Sequence, residues 1–361
     1  MAVSGTDFKI TAWDPLCFFE PDRQQGVWMA RVSRGAKPVA AHSVALETPP
    51  HLKERDEIAN QVLPPDQRYG TVIGWREGDQ NGMLFFNDSV DKAGLSKDGQ
   101  LFVFAGLYGV AKVDLMTGKG RWIWTLEAGE FANYESLDFG DSSIAACKTI
   151  SADRHDFIVR LDLDREEVQR IDLTKTLGGD RLSVRNVAIR PDGSVDFQYA
   201  DDVHTLSAAG DIVRVAHIPE VAEDGSPAQL VYGNVNERAY VSWQGLDDVM
   251  YVQAEGASAP ARFMVRAQYE AIQIKNATML VALRNGEVSR IDPAGNDERV
   301  YTGPIDQHVA SGATRSRLWV QRLGWHITLV AFDGTTETRE FSWQVPKAAE
   351  IPVRFEQVEE P

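Results

Sequence analysis

Aspartates and histidines stand close together at three places in the sequence. These are Asp153, His155 and Asp156, then Asp201, Asp202 and His204, then Asp247 and Asp248. Carboxylates are hard oxygen ligands that suit Ca²⁺, and imidazoles suit Zn²⁺ or Fe²⁺. Carboxylates also attract the Lys and Arg side chains of a cationic partner. The residue types therefore support either a metal site, with His155 and His204 as candidate ligands, or an acidic binding surface.

The three groups share one position in an internal repeat. A break before an alternating apolar run recurs at Gly109, Asp156, Asp202, Asp248, Gly286 and Gly324, with spacings of 47, 46, 46, 38 and 38 residues. Aspartate is common at strand ends, because its side chain caps hairpin turns. The repeat alone is therefore a third explanation for the aspartates, without a site.

One copy of the repeat shows what the unit is. Between residues 94 and 125, short apolar runs end at Leu95 or occupy 101–104, 110–113 and 121–124. The segments between them are rich in Gly, Asp and Ser, the residues of hairpin turns. This pattern predicts a four-stranded antiparallel meander. Its recurrence every 38 to 47 residues is typical of β-propeller blades.

Two turns carry a resemblance to a known superfamily. Residues 96–99 (SKDG) and 190–193 (RPDG) look like the hairpin turns of WD40 and YVTN-like propellers. Residues 114–119 with Trp122 resemble one quinoprotein-type repeat, but no other unit repeats them, so no cofactor is predicted. The resemblance implies an all-β propeller of four-stranded antiparallel blades and leaves the activity open. Seven blades are predicted, with eight as the alternative.

The repeat also predicts how the chain is divided within a single propeller, 1–361. Residues 1–46 and 69–90 form irregular strands of an N-terminal blade, and 47–68, with Pro-Pro pairs at both ends, form an inserted loop or short helix. Residues 91–345 form six regular blades, and 346–361 form a ring-closing strand and an acidic tail. Closure is assigned to residues 353–355 or 8–10, because an open end would leave a sheet edge unpaired.

Composition restricts the partners. The formal net charge is −16, and no basic run occurs that could neutralise nucleic-acid phosphates. No run of 18 apolar residues predicts a membrane span, and residues 1–10 contain no apolar signal core. We therefore expect a cytoplasmic protein that binds another protein, a basic one, without nucleic acid or membrane.

Catalytic motifs are missing from the sequence. There is no Gly-x-Ser-x-Gly elbow and no phosphate-binding Gly-Lys-Ser/Thr loop. The leading hypothesis is a non-enzymatic propeller of the inhibitor or immunity type, which occludes a cationic protein with an acidic rim formed by Asp153, Asp156, Asp201, Asp202, Asp247 and Asp248. The alternative is a metal-dependent hydrolase or lactonase-like enzyme acting at a central channel, with a divalent cation.

Tryptophans give a further expectation. Trp122, Trp124, Trp243, Trp319, Trp325 and Trp343 lie in or near the predicted strands. Most are expected to pack between blades. The alternative role for one or two near the rim is to anchor a partner or stack on a sugar, which makes a carbohydrate-binding module a third hypothesis.

Overall fold

The computed structural model describes residues 12–33, 36–38, 41–54, 69–138, 143–178, 184–219, 228–234, 236–254, 256–314, 317–322, 326–340 and 355–357. The fold is all-β and consists of seven successive antiparallel sheets, which are the blades of a seven-bladed β-propeller. The predicted fold class is thus confirmed, with seven blades rather than eight. None of the helices in these ranges is long and apolar enough to span a membrane.

The first sheet has five strands, one more than the other six blades. Sheet 1 contains, in spatial order, β1 (Ala12–Glu20), β2 (Gln25–Ser33), β5 (Tyr69–Glu77), β6 (Gln80–Phe86) and β4 (His42–Ser43). Four of these strands form the antiparallel blade, and β4 adds to β6 in parallel. Of the predicted insertion, Pro50–Leu52 forms a 3-10 helix, and 55–68 lie outside the described residues.

Sheets 2 to 7 are four-stranded meanders. Sheet 2 contains β7 (Lys92–Leu95), β8 (Leu101–Ala105), β9 (Gly109–Val113) and β10 (Gly120–Thr125). Sheet 3 contains β11 (Phe131–Asp138), β12 (Ile144–Ile150), β13 (Asp156–Asp162) and β14 (Glu167–Asp172). Sheet 4 contains β15 (Val184–Ile189), β16 (Val195–Tyr199), β17 (Asp202–Leu206) and β18 (Ile212–His217).

The last three sheets repeat the same order. Sheet 5 contains β19 (Gln229–Gly233), β20 (Glu237–Gln244), β21 (Asp247–Ala254) and β22 (Ala261–Val265). Sheet 6 contains β23 (Tyr269–Lys275), β24 (Thr278–Leu283), β25 (Glu287–Ile291) and β26 (Asp297–Thr302). Sheet 7 contains β27 (His308–Ala313), β28 (Leu318–Arg322), β29 (His326–Val330) and β30 (Thr336–Glu340).

The third strands begin where the repeat places them. In sheets 2, 3 and 4 they start at Gly109, Asp156 and Asp202, and in sheet 5 the start is Asp247, one residue before Asp248. In sheet 6 the start is Glu287, one residue after the predicted break, and Gly324 in sheet 7 is outside the described residues. The turn signals in the sequence therefore define the strand register to within one residue in sheets 2 to 6.

The chain forms two compact units. Unit 1 contains Met1–Tyr134, Thr149–Arg154 and Trp343–Pro361, and unit 2 contains Glu135–Lys148 and His155–Ser342. The core of unit 1 includes β8, which is buried along its whole length. A strand covered on both faces reads as a continuous apolar run, and LFVFA is such a run. Each large apolar side chain fully buried in this way contributes about 1.5–3 kcal/mol to folding.

Polar side chains join neighbouring sheets within unit 2. Arg160 in sheet 3 donates from Nε to the carbonyl of Gly193 in sheet 4, at 2.8 Å. Gln198 in sheet 4 donates to the carbonyl of Ala228, at 3.3 Å, just before sheet 5. These bonds satisfy buried polar groups and add direction to an otherwise apolar contact between blades.

A short helix and a small extra sheet lie beside the blades. Helix α1 (Leu173–Leu177) follows sheet 3, and Asp172 caps it by accepting from the amide of Lys175 at 2.9 Å. In unit 1, β3 (Ala36–Pro38) pairs with β31 (Phe355–Gln357) in a two-stranded sheet. Residues 8–10 and 353–354 are outside the described residues, so the assignment of the closing strand stays a prediction.

Candidate functional site

Each four-stranded meander has two different ends. The link between the second and third strands lies at one end, which we call the link end. The two other hairpin turns lie at the opposite end, which we call the turn end. Connections to the next sheet leave from the link end, because a fourth strand runs antiparallel to the third. All six predicted aspartates lie at link ends.

The aspartates of sheet 5 differ in exposure. Asp248 is 0% exposed, and its Oδ2 accepts the amide of Tyr269 at 2.7 Å. Its Oδ1 is buried without a hydrogen-bond partner among the described residues. Burial raises the pKa of Asp248, and the Tyr269 hydrogen bond and the charge of Arg284 oppose that shift. Asp247 is half-buried and accepts the amide of Ala267 at 3.0 Å. Asp248 is therefore an interior group, and Asp247 is the one that solvent reaches.

Asp156 in sheet 3 is also an interior group. It is 6% exposed, and its Oδ1 has no hydrogen-bond partner within the described ranges. Burial raises the pKa of Asp156, while the positive charge of Lys148 lowers it. Lys148 is itself buried and donates to the carbonyl of Val184 at 2.5 Å. Asp156 is therefore buried and is not part of the surface.

Asp202 in sheet 4 is on the surface but already has cationic neighbours. Its Oδ1 lies 2.8 Å from Nδ1 of His217 and 2.9 Å from Nη2 of Arg214. Burial would raise the pKa of Asp202, but the hydrogen bonds and charges of these two side chains hold it below its ordinary value. The adjacent Asp201 is exposed. The sequence pattern predicts the carboxylates but not Arg214 and His217, which lie on the paired strand β18 and contact Asp202.

The two remaining predicted residues near sheet 3 lie in different units. Asp153, in unit 1, is exposed and accepts a hydrogen bond from the hydroxyl of Ser151. His155, in unit 2, places Nδ1 3.0 Å from Oδ2 of Asp172. Burial acts against ionisation of Asp172, but hydrogen bonds from His155 and Lys175 hold its pKa at about 2. His155 is thus paired with the residue that caps α1.

His204 is buried in sheet 4. Its ring stacks on Phe197 at a centroid distance of 5.6 Å and meets Tyr199 edge-on at 6.4 Å. It is 8% exposed, and Nδ1 has no hydrogen-bond partner among the described residues. Burial lowers the pKa of His204, which keeps the imidazole neutral near pH 7. In the part of the chain that the structure describes, no group of three or more His, Cys, Asp and Glu is arranged to hold a metal ion.

Large apolar side chains are exposed in unit 2, which the pattern of aspartates in the sequence does not predict. Within the described residues of unit 2, six large apolar side chains are exposed, namely Val168, Val213, Trp243, Leu246, Met264 and Ile305. The last four of these lie at link ends, on the β20–β21 hairpin, at the end of β22 and on the 3-10 helix Ile305–Gln307. Apolar exposure in unit 2 is thus concentrated at the end that also holds the aspartates.

The β20–β21 hairpin has the most exposed pair. Leu246 in its turn is 85% exposed, and Trp243 in the strand is 46% exposed. By contrast, Trp319 is 5% and Trp124 is 8% exposed, as expected of tryptophans that pack within and between blades. Trp122 is half-buried and donates from Nε1 to the carbonyl of Glu47 at 2.7 Å, and Trp325 and Trp343 are outside the described residues. We define the hairpin tip as Trp243, Leu246 and Asp247.

Comparisons with known proteins identify a likeness of fold alone. No protein-family model matches the chain, and no curated protein matches it. Among solved structures, the computationally designed Ika8 protein aligns with 94% of this chain and 89% of its own, at 13% identity and a TM-score of 0.49. BamB from Moraxella catarrhalis aligns over 75% and 82% of the two chains, at 12% identity and a TM-score of 0.44.

A third similar structure is that of a longer protein. PorZ, a surface component of the type-IX secretion system of Porphyromonas gingivalis, aligns with 86% of this chain at 10% identity and a TM-score of 0.46. This chain covers 39% of the length of that PorZ chain. At such identities the function has to be inferred from the side chains described above.

Proposed function

We propose that this propeller is a non-enzymatic binding protein that takes a cationic protein partner at the link end of unit 2. The observation that carries the proposal is the hairpin tip, where an exposed indole and an exposed leucine stand beside an acidic side chain. Folding gains nothing from leaving Trp243 and Leu246 in water, since burying such side chains is favourable. A surface that binds a partner gives that exposure a function.

The two kinds of side chain at the tip contribute differently to binding. In alanine scans of interfaces, Trp is enriched among the residues whose truncation costs about 2 kcal/mol or more of binding free energy. The carboxylates of Asp201 and Asp247 act mainly on partner choice and association rate, because charge pairs at an interface rim steer the encounter. A net charge of −16 extends that attraction over the whole molecule.

An inhibitor or immunity role is the specific form of this proposal. Such a protein binds a basic enzyme or toxin and covers its functional surface. The acidic charge, the exposed anchor and the lack of catalytic sequence motifs support it. The alternative of a metal-dependent hydrolase or lactonase-like enzyme stays an untested prediction.

The experiment is affinity capture of the tagged protein from cells that contain it naturally. Extracts are applied at low salt, the column is eluted with rising salt, and the eluted proteins are identified by mass spectrometry. A Trp243→Ala/Leu246→Ala variant is compared with Val213→Ala, which removes apolar surface of similar exposure at a turn end of the same unit.

The proposal predicts one basic protein that elutes at high salt, is retained by the Val213→Ala variant and is lost from the hairpin variant. Binding is expected to weaken with salt, because the attraction between surface charges is largely screened beyond about 10 Å at 0.1 M ionic strength. Retention of the same protein by the hairpin variant would overturn the assignment of the site.

A further inference from the structure

A groove of about 500 Å³ lies at the turn ends of sheets 6 and 7, both in unit 2. Its lining includes Lys275, Asn276, Arg290, Asp292, Phe332 and Asp333. None of these residues belongs to the link end, so the groove is independent of the protein-binding site proposed above. Pockets of roughly 300–1,000 Å³ hold small molecules.

Local hydrogen bonds fix the turns that form the groove. Asp292 accepts the amides of Ala294 and Asn296, each at 2.9 Å, and the side-chain amide of Asn296 at 2.8 Å. Asp333 accepts the amide of Thr335 at 2.9 Å and its hydroxyl at 2.6 Å. These hydrogen bonds hold the pKa of each carboxyl below its ordinary value, so both are charged acceptors at neutral pH. A carboxylate oxygen accepts more than one hydrogen bond, which leaves acceptor capacity toward the groove.

The lining also contains hydrogen-bond donors. Arg290 donates to the carbonyl of Phe332 at 3.1 Å and pairs with Glu298, which orients the guanidinium across the two sheets. Lys275 is exposed, and no carboxylate in the described part of the chain pairs with it. Asn276 adds an amide that both donates and accepts, from a turn in which its φ is 53°.

We propose that this groove binds a neutral sugar, as a mono- or disaccharide. Sugar hydroxyls donate and accept at once, and the groove offers both functions side by side. The two cations and three anions of the lining nearly cancel, which does not favour a strongly charged ligand. Phe332 lines the groove and is half-buried against the apolar core formed by sheets 6 and 7, so an aromatic residue borders the space in which a pyranose ring would lie.

The test is saturation-transfer difference NMR on the full chain. The probes are the methyl glycosides of glucose, galactose, mannose and N-acetylglucosamine, with maltose and cellobiose, each at millimolar concentration. Asn276→Gly removes one lining side chain at a positive φ that glycine adopts freely, so it is expected to keep the fold. Phe332→Ala removes the aromatic ring, and Lys97→Met is the control, an exposed lysine in a turn of sheet 2.

The proposal predicts transfer to ring protons of at least one sugar in the wild type and in Lys97→Met. In Asn276→Gly and Phe332→Ala, the affinity for that sugar is expected to fall about tenfold or more, as when one hydrogen bond or one aromatic contact is lost. Absence of transfer from all six probes would overturn the proposal. Unchanged affinity in Asn276→Gly would also overturn it, and so would selective binding of a peptide in the same groove. None of these outcomes bears on the hairpin tip.

Discussion

Trp243 and Asp248 are directly opposed across the β20–β21 ladder, yet the indole is 46% exposed and the carboxylate is 0% exposed. The side chain that the sequence offers as an acidic surface group is thus buried. Trp243 is one of six tryptophans of which most are expected to pack between blades, and it is exposed. Two directly paired positions thus differ fully in burial, Asp248 being an interior group and Trp243 a surface group.

Replacing the buried carboxylate is expected to stabilise the protein. In Asp248→Asn the amide oxygen can accept the amide of Tyr269, and no charge is left in the interior. Because burial raises the pKa of Asp248, the folded protein binds a proton there more tightly than the unfolded chain does. The contribution of Asp248 to stability therefore falls as pH rises above about 3.8, the ordinary pKa, until the raised folded pKa is passed.

We expect the free energy of unfolding of Asp248→Asn to exceed that of the wild type by about 1 kcal/mol at pH 7. The difference should vanish near pH 3, where both states are protonated. Urea unfolding at the two pH values measures it. A variant that is less stable than the wild type at pH 7 would show that the negative charge is needed for folding.

A buried ion-pair network between sheets 4 and 5 is expected to be costly to break. Asp196 is 0% exposed, and its Oδ2 lies 3.0 Å from Nε of Arg238, while its Oδ1 lies 3.7 Å from Nη1 of Arg190. Asp196→Ala leaves both guanidinium groups, which are 12% and 11% exposed, without this partner. We expect a loss of about 3–5 kcal/mol in the free energy of unfolding.

The matched control for this prediction is Asp202→Ala. Its partners Arg214 and His217 are 59% and 62% exposed, so the pair is screened by solvent. The expected loss is below about 1 kcal/mol. Equal losses for the two variants in urea unfolding would contradict the distinction between interior and surface pairs.

His204 is expected to make the fold sensitive to acid. Because burial lowers its pKa below the ordinary 6.5, the unfolded chain binds the proton more readily than the folded protein does. Its contribution to stability is complete above pH 6.5 and falls as pH drops through that value. His204→Phe keeps a ring stacked on Phe197 and removes the titration.

The measurement is the urea midpoint of wild type and His204→Phe at pH 8 and pH 5. We expect similar midpoints at pH 8 and a smaller decrease between the two pH values in the variant. Parallel decreases would place the acid sensitivity elsewhere in the chain.

The periodicity of the sequence predicts the blades because turns and strands are local. Residues 96–99 form a turn closed by the hydrogen bond from the Gly99 amide to the carbonyl of Ser96, and the flanking runs form β7 and β8. The candidate site was harder to predict. Whether Asp156 or Asp248 faces solvent depends on which neighbouring sheet covers it, and that contact joins residues distant in sequence.

The tryptophans illustrate the same limit. Trp319 and Trp243 both lie in the second strand of their sheets, and the former is 5% exposed while the latter is 46% exposed. Local sequence contains no signal that separates them, because exposure is set by the packing around each strand. Only the structure shows that Trp243 is the exposed one of these two.

The most direct test of the account is a titration of the captured basic partner, purified, against the wild type, Trp243→Ala and Asp248→Asn by isothermal calorimetry. We expect Trp243→Ala to raise the dissociation constant by about 30-fold or more, which corresponds to a loss of roughly 2 kcal/mol in binding free energy. Asp248→Asn is expected to bind like the wild type, because its side chain is buried. Wild-type affinity in Trp243→Ala would contradict the central claim that the hairpin tip binds the partner.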